Sequence, residues 1–280
     1  MGKIKVTHYR VRSQNPDNAP KEPFSAAVLS DLHNAVYHSD VRTLTDAIIR
    51  EHVAAVFSVG DLVVSKGKQW AYDQALELLG SLTERVPVYA VNGNHEVRMR
   101  NRFPEQFHSF DEKARALGTV MVSNIHVPLR ISSMRIGLYG LELNNGYFRR
   151  NIKDGVPEKE PEAGKKPPKK HVLRDVDITK VLGTPDEDEF TILLAHHPKY
   201  FPAYAGWGAD LTLSGHIHGG IIRLPGIGGV IGPDPGLFPK YDRGEYEYAG
   251  KKMIVSAGLG THTISLRVNN PPELVILDFV

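Results

Sequence analysis

Three short apolar runs, each ending in residues able to bind metal or move a proton, constrain this chain more than any other feature. Ala26-Ala27-Val28-Leu29-Ser30 runs into Asp31-Leu32-His33, and Ala54 to Val59 runs into Gly60-Asp61. Val86 to Val91 runs into Asn92-Gly93-Asn94-His95-Glu96. Continuous apolar runs of this length suit strands buried on both faces, as in a parallel sheet. The intervening segments have helical spacing. Val41 to His52 places Leu44, Ala47 and Ile48 at that period, with Asp40 as the expected N-cap. Lys68 to Leu82 aligns Trp70, Ala71, Ala75, Leu78, Leu79 and Leu82 on one helical face. The order β-α-β-α-β predicts a right-handed parallel sheet of the α/β class. The carboxyl ends of such strands line the edge where ligands bind.

Two later segments repeat the pattern. Ala195-His196-His197-Pro198 follows the run Thr191–Leu194, and Gly215-His216-Ile217-His218-Gly219-Gly220 follows Asp210–Ser214. Further strands are expected at 119–123, 134–140, 252–256, 263–268 and 273–279, antiparallel or mixed where connections are too short for a crossover helix. Six of the thirteen histidines fall in these few segments, which separates them from scattered surface histidines. Each piece alone has an ordinary reading: Asp31 capping a turn, Gly60-Asp61 as a turn, His196-His197 starting a helix. Five such pieces, each after an apolar strand, do not. The chain has no cysteine, which excludes a thiolate nucleophile, an iron–sulfur cluster and every Cys-ligated zinc site. Any metal here must be held by histidine and oxygen.

In order and spacing, the series Asp31/His33, Asp61, Asn94/His95, His196 and His216/His218 resembles the calcineurin-like metallophosphoesterases over about residues 24–220. The segments Arg223-Leu224-Pro225, Gly236 to Tyr241 and Ser256 to Gly260 look like those of the bacterial YkuE-like branch. The resemblance implies a four-layer α/β/β/α sandwich of two mixed sheets flanked by helices. It also implies two divalent or transition-metal ions, Mn, Fe or Zn. One would be held by Asp31, His33 and His218, the other by Asn94, His196 and His216, with Asp61 bridging them. Asp61 and His95 are the implied catalytic residues, around a metal-bridging hydroxide as nucleophile and His95 as general acid. Two divalent ions set against two carboxylates and one hydroxide leave about one positive charge in the site, suited to a phosphoryl group that gains charge in the transition state.

Three neighbours keep two readings each. Glu96 either orients His95 or begins a helix, Arg98 either meets substrate phosphate or is an exposed helical residue, and His197 either supports the ligands from behind or packs structurally. The aromatic group Phe238, Tyr241, Tyr246 and Tyr248 is either a pocket wall or ordinary packing. The expected function is hydrolysis of a phosphorylated small molecule, a lipid or nucleotide-sugar substrate included, as a mono-, di- or pyrophosphate ester. The alternatives are a catalytically silent metal-binding scaffold on the same fold, or a nuclease. A net charge of +2 and the lack of a long basic stripe give no reason to expect strong duplex binding.

The 280 residues read as one phosphoesterase domain, with a polar Pro/Lys/Glu-rich insertion at about 151–189 that is either a solvated loop or a lid. Residues 1–12 read as a short alternating strand without the apolar core of a signal segment, and no window approaches about 18 continuous apolar residues. The expectation is therefore a cytoplasmic protein without a transmembrane segment. A chain trimmed of its leader would read the same, so envelope association stays open.

Overall fold

A computed structural model describes residues 4–35, 41–148, 172–220, 222–224, 228–230, 238–260 and 267–280. Strand β1 (Lys5–Val11) is followed by β2 (Phe24–Leu29), helix α1 (Arg42–Ile49) and β3 (Ala55–Ser58). A hairpin of β4 (Val64–Lys66) and β5 (Gln69–Ala71) precedes α2 (Asp73–Thr83) and β6 (Val88–Ala90). Helices α3 (Asn94–Arg102) and α4 (Pro104–Ala116) lead to β7 (Val120–Met121). Then come β8 (His126–Ile131), β9 (Met134–Leu141), α5 (Asp175–Leu182), β10 (Phe190–Ala195), α6 (Phe201–Trp207) and β11 (Leu211–Ser214). The last strands are β12 (Arg223–Leu224), β13 (Gly228–Gly229), β14 (Gly244–Tyr248), β15 (Lys251–Val255) and β16 (Glu273–Phe279).

Two six-stranded mixed sheets form, ordered β1-β16-β2-β3-β6-β7 and β14-β15-β11-β10-β9-β8. In the first, β2, β3, β6 and β7 run parallel, with β2 in register Ala27↔Val56 on β3. Strand β16 is antiparallel to β2 and carries β1 on its other side. The second sheet is parallel through β9, β10, β11 and β15, with β8 and β14 added antiparallel at its edges.

The period of two along each strand sorts its side chains between cores. On β2, Ala26 and Val28 face the layer between the sheets, while Ala27 and Leu29 meet the helices. On β10, Ile192 and Leu194 enter the same inter-sheet layer, and Leu193 and Ala195 face the other way. The first outer core joins Leu44 and Ile48 of α1, Leu78 and Leu82 of α2 and Phe110 of α4 to that sheet face. The second outer core joins Ile178 of α5 and Phe201, Tyr204 and Trp207 of α6 to Tyr139 and Met253. Burying each such aliphatic or aromatic side chain contributes about 1.5–3 kcal/mol. Helix, sheet, sheet, helix is the four-layer order that the family resemblance implied.

The structure corrects several expectations. Residues 68–72 do not belong to the second helix. Gly67, with φ +59°, turns the chain between β4 and β5, so Trp70 sits on a short strand, 39% exposed, and the helix starts only at Asp73. Helix α3 was anticipated only as one reading of Glu96 and Arg98, and α4 not at all, since the acid- and base-rich stretch after His95 shows a weak apolar stripe. The connection between β10 and β11 does hold a crossover helix, α6, which is why those strands pair in parallel. Of the expected insertion, 151–171 lies outside the described residues. Its C-terminal part is helical: Leu173 and Ile178 join the second outer core, and Trp207 Nε1 donates to Gly183 O at 2.9 Å. Asp40, residues 263–266 of the strand expected at 263–268, Pro225 and residues 236–237 also lie outside the described residues. No helix among the described residues is long and apolar enough to cross a membrane.

Candidate metal centre

Both sheets deliver the carboxyl ends of their parallel strands to one rim. The loops after β2, β3 and β6 carry Asp31 and His33, Asp61, and Asn94 and His95, while those after β10 and β11 carry His196 and the pair His216 and His218. All eight residues are buried. Their donor atoms form three groups lying within 4.8 Å: Asp31, His33 and His218; Asp61, His196 and His216; and His33, Asp61 and His95. His33 Nε2 and His218 Nε2 lie 3.0 Å apart, and His218 Nε2 is 3.3 Å from Asp31 Oδ1. Asp61 Oδ2 is 3.2 Å from His196 Nε2 and 3.9 Å from His33 Nε2, so one carboxylate touches both clusters.

Backbone partners assign the proton on two of these rings. His196 Nδ1 lies 2.7 Å from Val59 O, and a carbonyl only accepts, so the ring donates there and Nε2 keeps its lone pair for the centre. His95 is the opposite case. Its Nδ1 accepts from Ser65 N at 2.9 Å, which puts the neutral ring's proton on Nε2. Metal ligands must offer a lone pair, so this hydrogen bond removes His95 from the third group as a ligand. The remaining donors fit a cation. Two carboxylates and several imidazole nitrogens converge on one buried point, and Asn94 Oδ1 is buried with no hydrogen-bond partner among the described residues.

The backbone is strained where the donors sit. Asp31, His33, Asp61, His216 and His218 all have φ between 49° and 68°, a region non-glycine residues enter at a cost of about 1–3 kcal/mol each. Close packing of loops holds them there. Asp31 N donates to Gly60 O at 3.0 Å and His33 N to Asp61 O at 2.9 Å, while His216 N lies 3.0 Å from Asp31 Oδ2. Gly93 packs directly on Asp61, and an added methyl would overlap the carboxylate and the Asp61 backbone nitrogen. We expect Gly93→Ala to cost about 1–3 kcal/mol of stability by overpacking and to lower metal uptake. Thermal melting together with metal analysis checks this, and a variant with unchanged metal content would contradict it.

Of the two readings of Glu96, the helix start is the one seen, since it lies in the first turn of α3. Its buried carboxylate accepts from Asp61 N at 2.9 Å, Gly93 N at 2.8 Å and Val63 N at 3.1 Å, riveting the loop after β3 to the start of α3. Burial, then the charge of Asp61, pushes it up to about 7, with the Val63 amide pulling down. Burial also opposes charge on Asp61, yet the fields of His196 and His95 and a hydrogen bond with His196 hold its carboxyl well below the usual range. Burial lowers His33. Burial likewise works downward on His196, but the charge and hydrogen bond of Asp61 prevail and raise it to about 9. A bound cation takes the place of that proton.

Arg98 is part-buried, and its Nη1 donates to Ser65 O at 2.9 Å. His197 lies outside all three donor groups. Its Nδ1 faces Lys199 N, its carbonyl accepts from Tyr204 at 2.8 Å, and its ring stacks on Phe148 at 5.4 Å. Phe148, missed in the sequence, also sits edge-on to His216 at 5.1 Å and so walls the centre. Asn270 was missed as well: its Nδ2 donates to His218 O at 2.6 Å and Gly220 O at 2.7 Å, pinning the histidine loop. Neither residue lies near a ligand in sequence. Of the aromatic group, Tyr241 and Tyr246 pack edge-to-face at 5.0 Å, Tyr246 donates to Asp242 at 2.8 Å, and Phe238 is exposed. Tyr241 and Tyr248 both pack against Phe201. That is packing, with no part in the centre.

A family model described as calcineurin-like phosphoesterase matches residues 24–220. The chain is 34% identical over 105 residues to the Bacillus subtilis (strain 168) protein named uncharacterized metallophosphoesterase YkuE, covering 34% of this chain and 36% of that one. It is 37% identical over 102 residues to an uncharacterized metallophosphoesterase of Aquifex aeolicus (strain VF5), covering 36% and 37%. These two matches span little more than a third of the relatives' length. The protein named phosphodiesterase YaeI of Escherichia coli (strain K12) is 24% identical over 271 residues, covering 94% of this chain and 84% of that one.

Proposed function

The chain belongs to the calcineurin-like phosphoesterase family, and from that premise we propose that it is a metal-dependent hydrolase of phosphate esters that binds two ions side by side. The observation that carries this reading is the convergence of Asp31, Asp61 and four imidazoles on one buried point, where each carboxylate approaches a histidine of both clusters. Asp31, His33 and His218 would hold one ion and Asn94, His196 and His216 the other, with the Asp61 carboxylate available to both. Mn, Fe and Zn all suit this sulfur-free set. Bound divalent ions supply Lewis acidity and lower the pKa of coordinated water.

The chain's own residues do the rest. Asn94 ligates without adding charge, so the centre keeps a positive surplus for an anionic ester. His95, protonated at Nε2, hydrogen-bonds the leaving oxygen as its bond to phosphorus breaks. With Nδ1 occupied by the Ser65 amide, complete transfer would leave an imidazolate, so the departing alcohol takes its final proton from solvent. Phe148 shields the ligand histidines on one side.

Metal analysis of purified protein, combined with matched phosphate mono- and diesters and nucleotide-sugar pyrophosphates under Mn and Zn in turn, tests the proposal. We expect about two ions per chain and hydrolysis of at least one class, lost on chelation and restored by metal. The diester belongs in the panel because the Escherichia coli relative is named a phosphodiesterase. Folded, metal-loaded protein that cleaves none of these esters would instead support a silent scaffold. Hydrolysis by metal-free protein would overturn the mechanism.

A further inference from the structure

The β4–β5 hairpin packs on α3, and one of its residues meets two side chains of that helix. In the two-residue hairpin closed by Lys66↔Gln69, the alternation of an antiparallel ladder leaves the N–H and C=O of Ser65 facing away from its partner strand. Both groups are taken up by side chains of α3. Ser65 N donates to His95 Nδ1 at 2.9 Å, and Ser65 O accepts from Arg98 Nη1 at 2.9 Å. Positions 95 and 98 lie three apart and share one face of the helix, so they meet the two outward groups of a single extended residue. The Ser65 hydroxyl is buried and has no hydrogen-bond partner among the described residues, so this contact is made by the backbone alone.

We propose that Arg98 is a positioning residue for His95, acting through the backbone of Ser65 to hold the imidazole proton on Nε2. The inference rests on the phosphoesterase reading for its kinetic consequence and on geometry alone for its structural one. Without the guanidinium, the outward carbonyl of Ser65 loses its partner and the hairpin edge is free to shift. The Nδ1 contact then weakens, and His95 samples both tautomers and other ring orientations. A substrate-binding arginine would behave differently, since its loss would weaken substrate binding whether or not His95 were present.

Two readouts separate these cases. Nitrogen-15 NMR of the histidine rings in metal-free protein, with His95 assigned by its absence in His95→Ala, is expected to show an unprotonated Nδ1 and a protonated Nε2. In Arg98→Met these signals should move toward a tautomer mixture, and in Arg98→Lys, which keeps one donor, they should return most of the way. Kinetically, Arg98→Met should lower kcat about tenfold on an ester with a poor leaving group, with KM changed less than about twofold, as expected for a misplaced group rather than a lost binding contact. In the His95→Ala background the same change should have no further effect, because the two residues act as one unit. Should Arg98→Met fail to fold, the lysine variant must itself show an intermediate spectrum. An unchanged His95 spectrum in Arg98→Met, or a KM increase that persists without His95, overturns the proposal. Should wild-type protein hydrolyse no ester, the functional reading fails while the spectra still decide the positioning claim.

Discussion

Asp61→Ala is expected to reduce bound metal from about two ions per chain to fewer than one and to lower hydrolysis by at least about 10³-fold. Its carboxylate lies between the donor clusters, 3.2 Å from His196 Nε2 on one side and 3.9 Å from His33 Nε2 on the other, while Asp31 Oδ1 also reaches across, 3.8 Å from His196 Nε2. Its second oxygen accepts from His95 N at 2.7 Å, which ties the start of α3 to the same loop. Removing it strips one cluster of its only carboxylate, leaving His196 and His216 with the neutral Asn94. The buried acid behind it, Glu96, is engaged by three backbone amides. Metal analysis and turnover measured on the same preparation check the result. A variant retaining two ions would show that Asp61 does not bridge, even if activity fell.

His95→Ala separates a group that hydrogen-bonds the leaving oxygen without giving up its proton from a ligand. We expect a loss of about 10²–10⁴-fold on esters with poor, alkoxide-like leaving groups and a much smaller loss on p-nitrophenyl esters, whose leaving oxygen needs no proton. Metal content should stay at the wild-type level, because the Ser65 amide keeps the His95 proton on Nε2 and out of the ligand set. Equal losses on both esters would remove the role at the leaving oxygen. Loss of an ion would instead assign His95 to the His33–Asp61 group as a ligand.

The residues that converge were legible because the donor types cannot be disguised. Asp, Asn and His directly after buried apolar strands have few structural uses in such number, and a parallel sheet places those strand ends together. Local structure was less legible. Trp70 and Ala71 fit a helical period as well as they fit a hairpin, and Gly67 decided between them by taking a left-handed φ. Helix α5 was hidden inside a stretch whose composition is dominated by lysine, proline and glutamate. Glu96 kept two readings, orienting His95 or beginning a helix; it begins α3, and that turn carries its carboxylate toward the amides of Asp61 and Val63.

The sequence by itself determined the order of the buried strands, the family, and the set of histidine, aspartate and asparagine donors in a chain without cysteine. Only the tertiary structure decided what each donor is able to do. Val59 O leaves His196 a lone pair for the centre, while Ser65 N leaves His95 a proton, and the difference between ligand and hydrogen-bond donor rests on a carbonyl in one case and an amide in the other. Every residue except proline carries the same amide and carbonyl, so no side-chain pattern marks which of them will stand behind an imidazole. Packing alone selects them, through the loops that hold Asp31, Asp61 and His216 in left-handed backbone and the hairpin edge that meets α3.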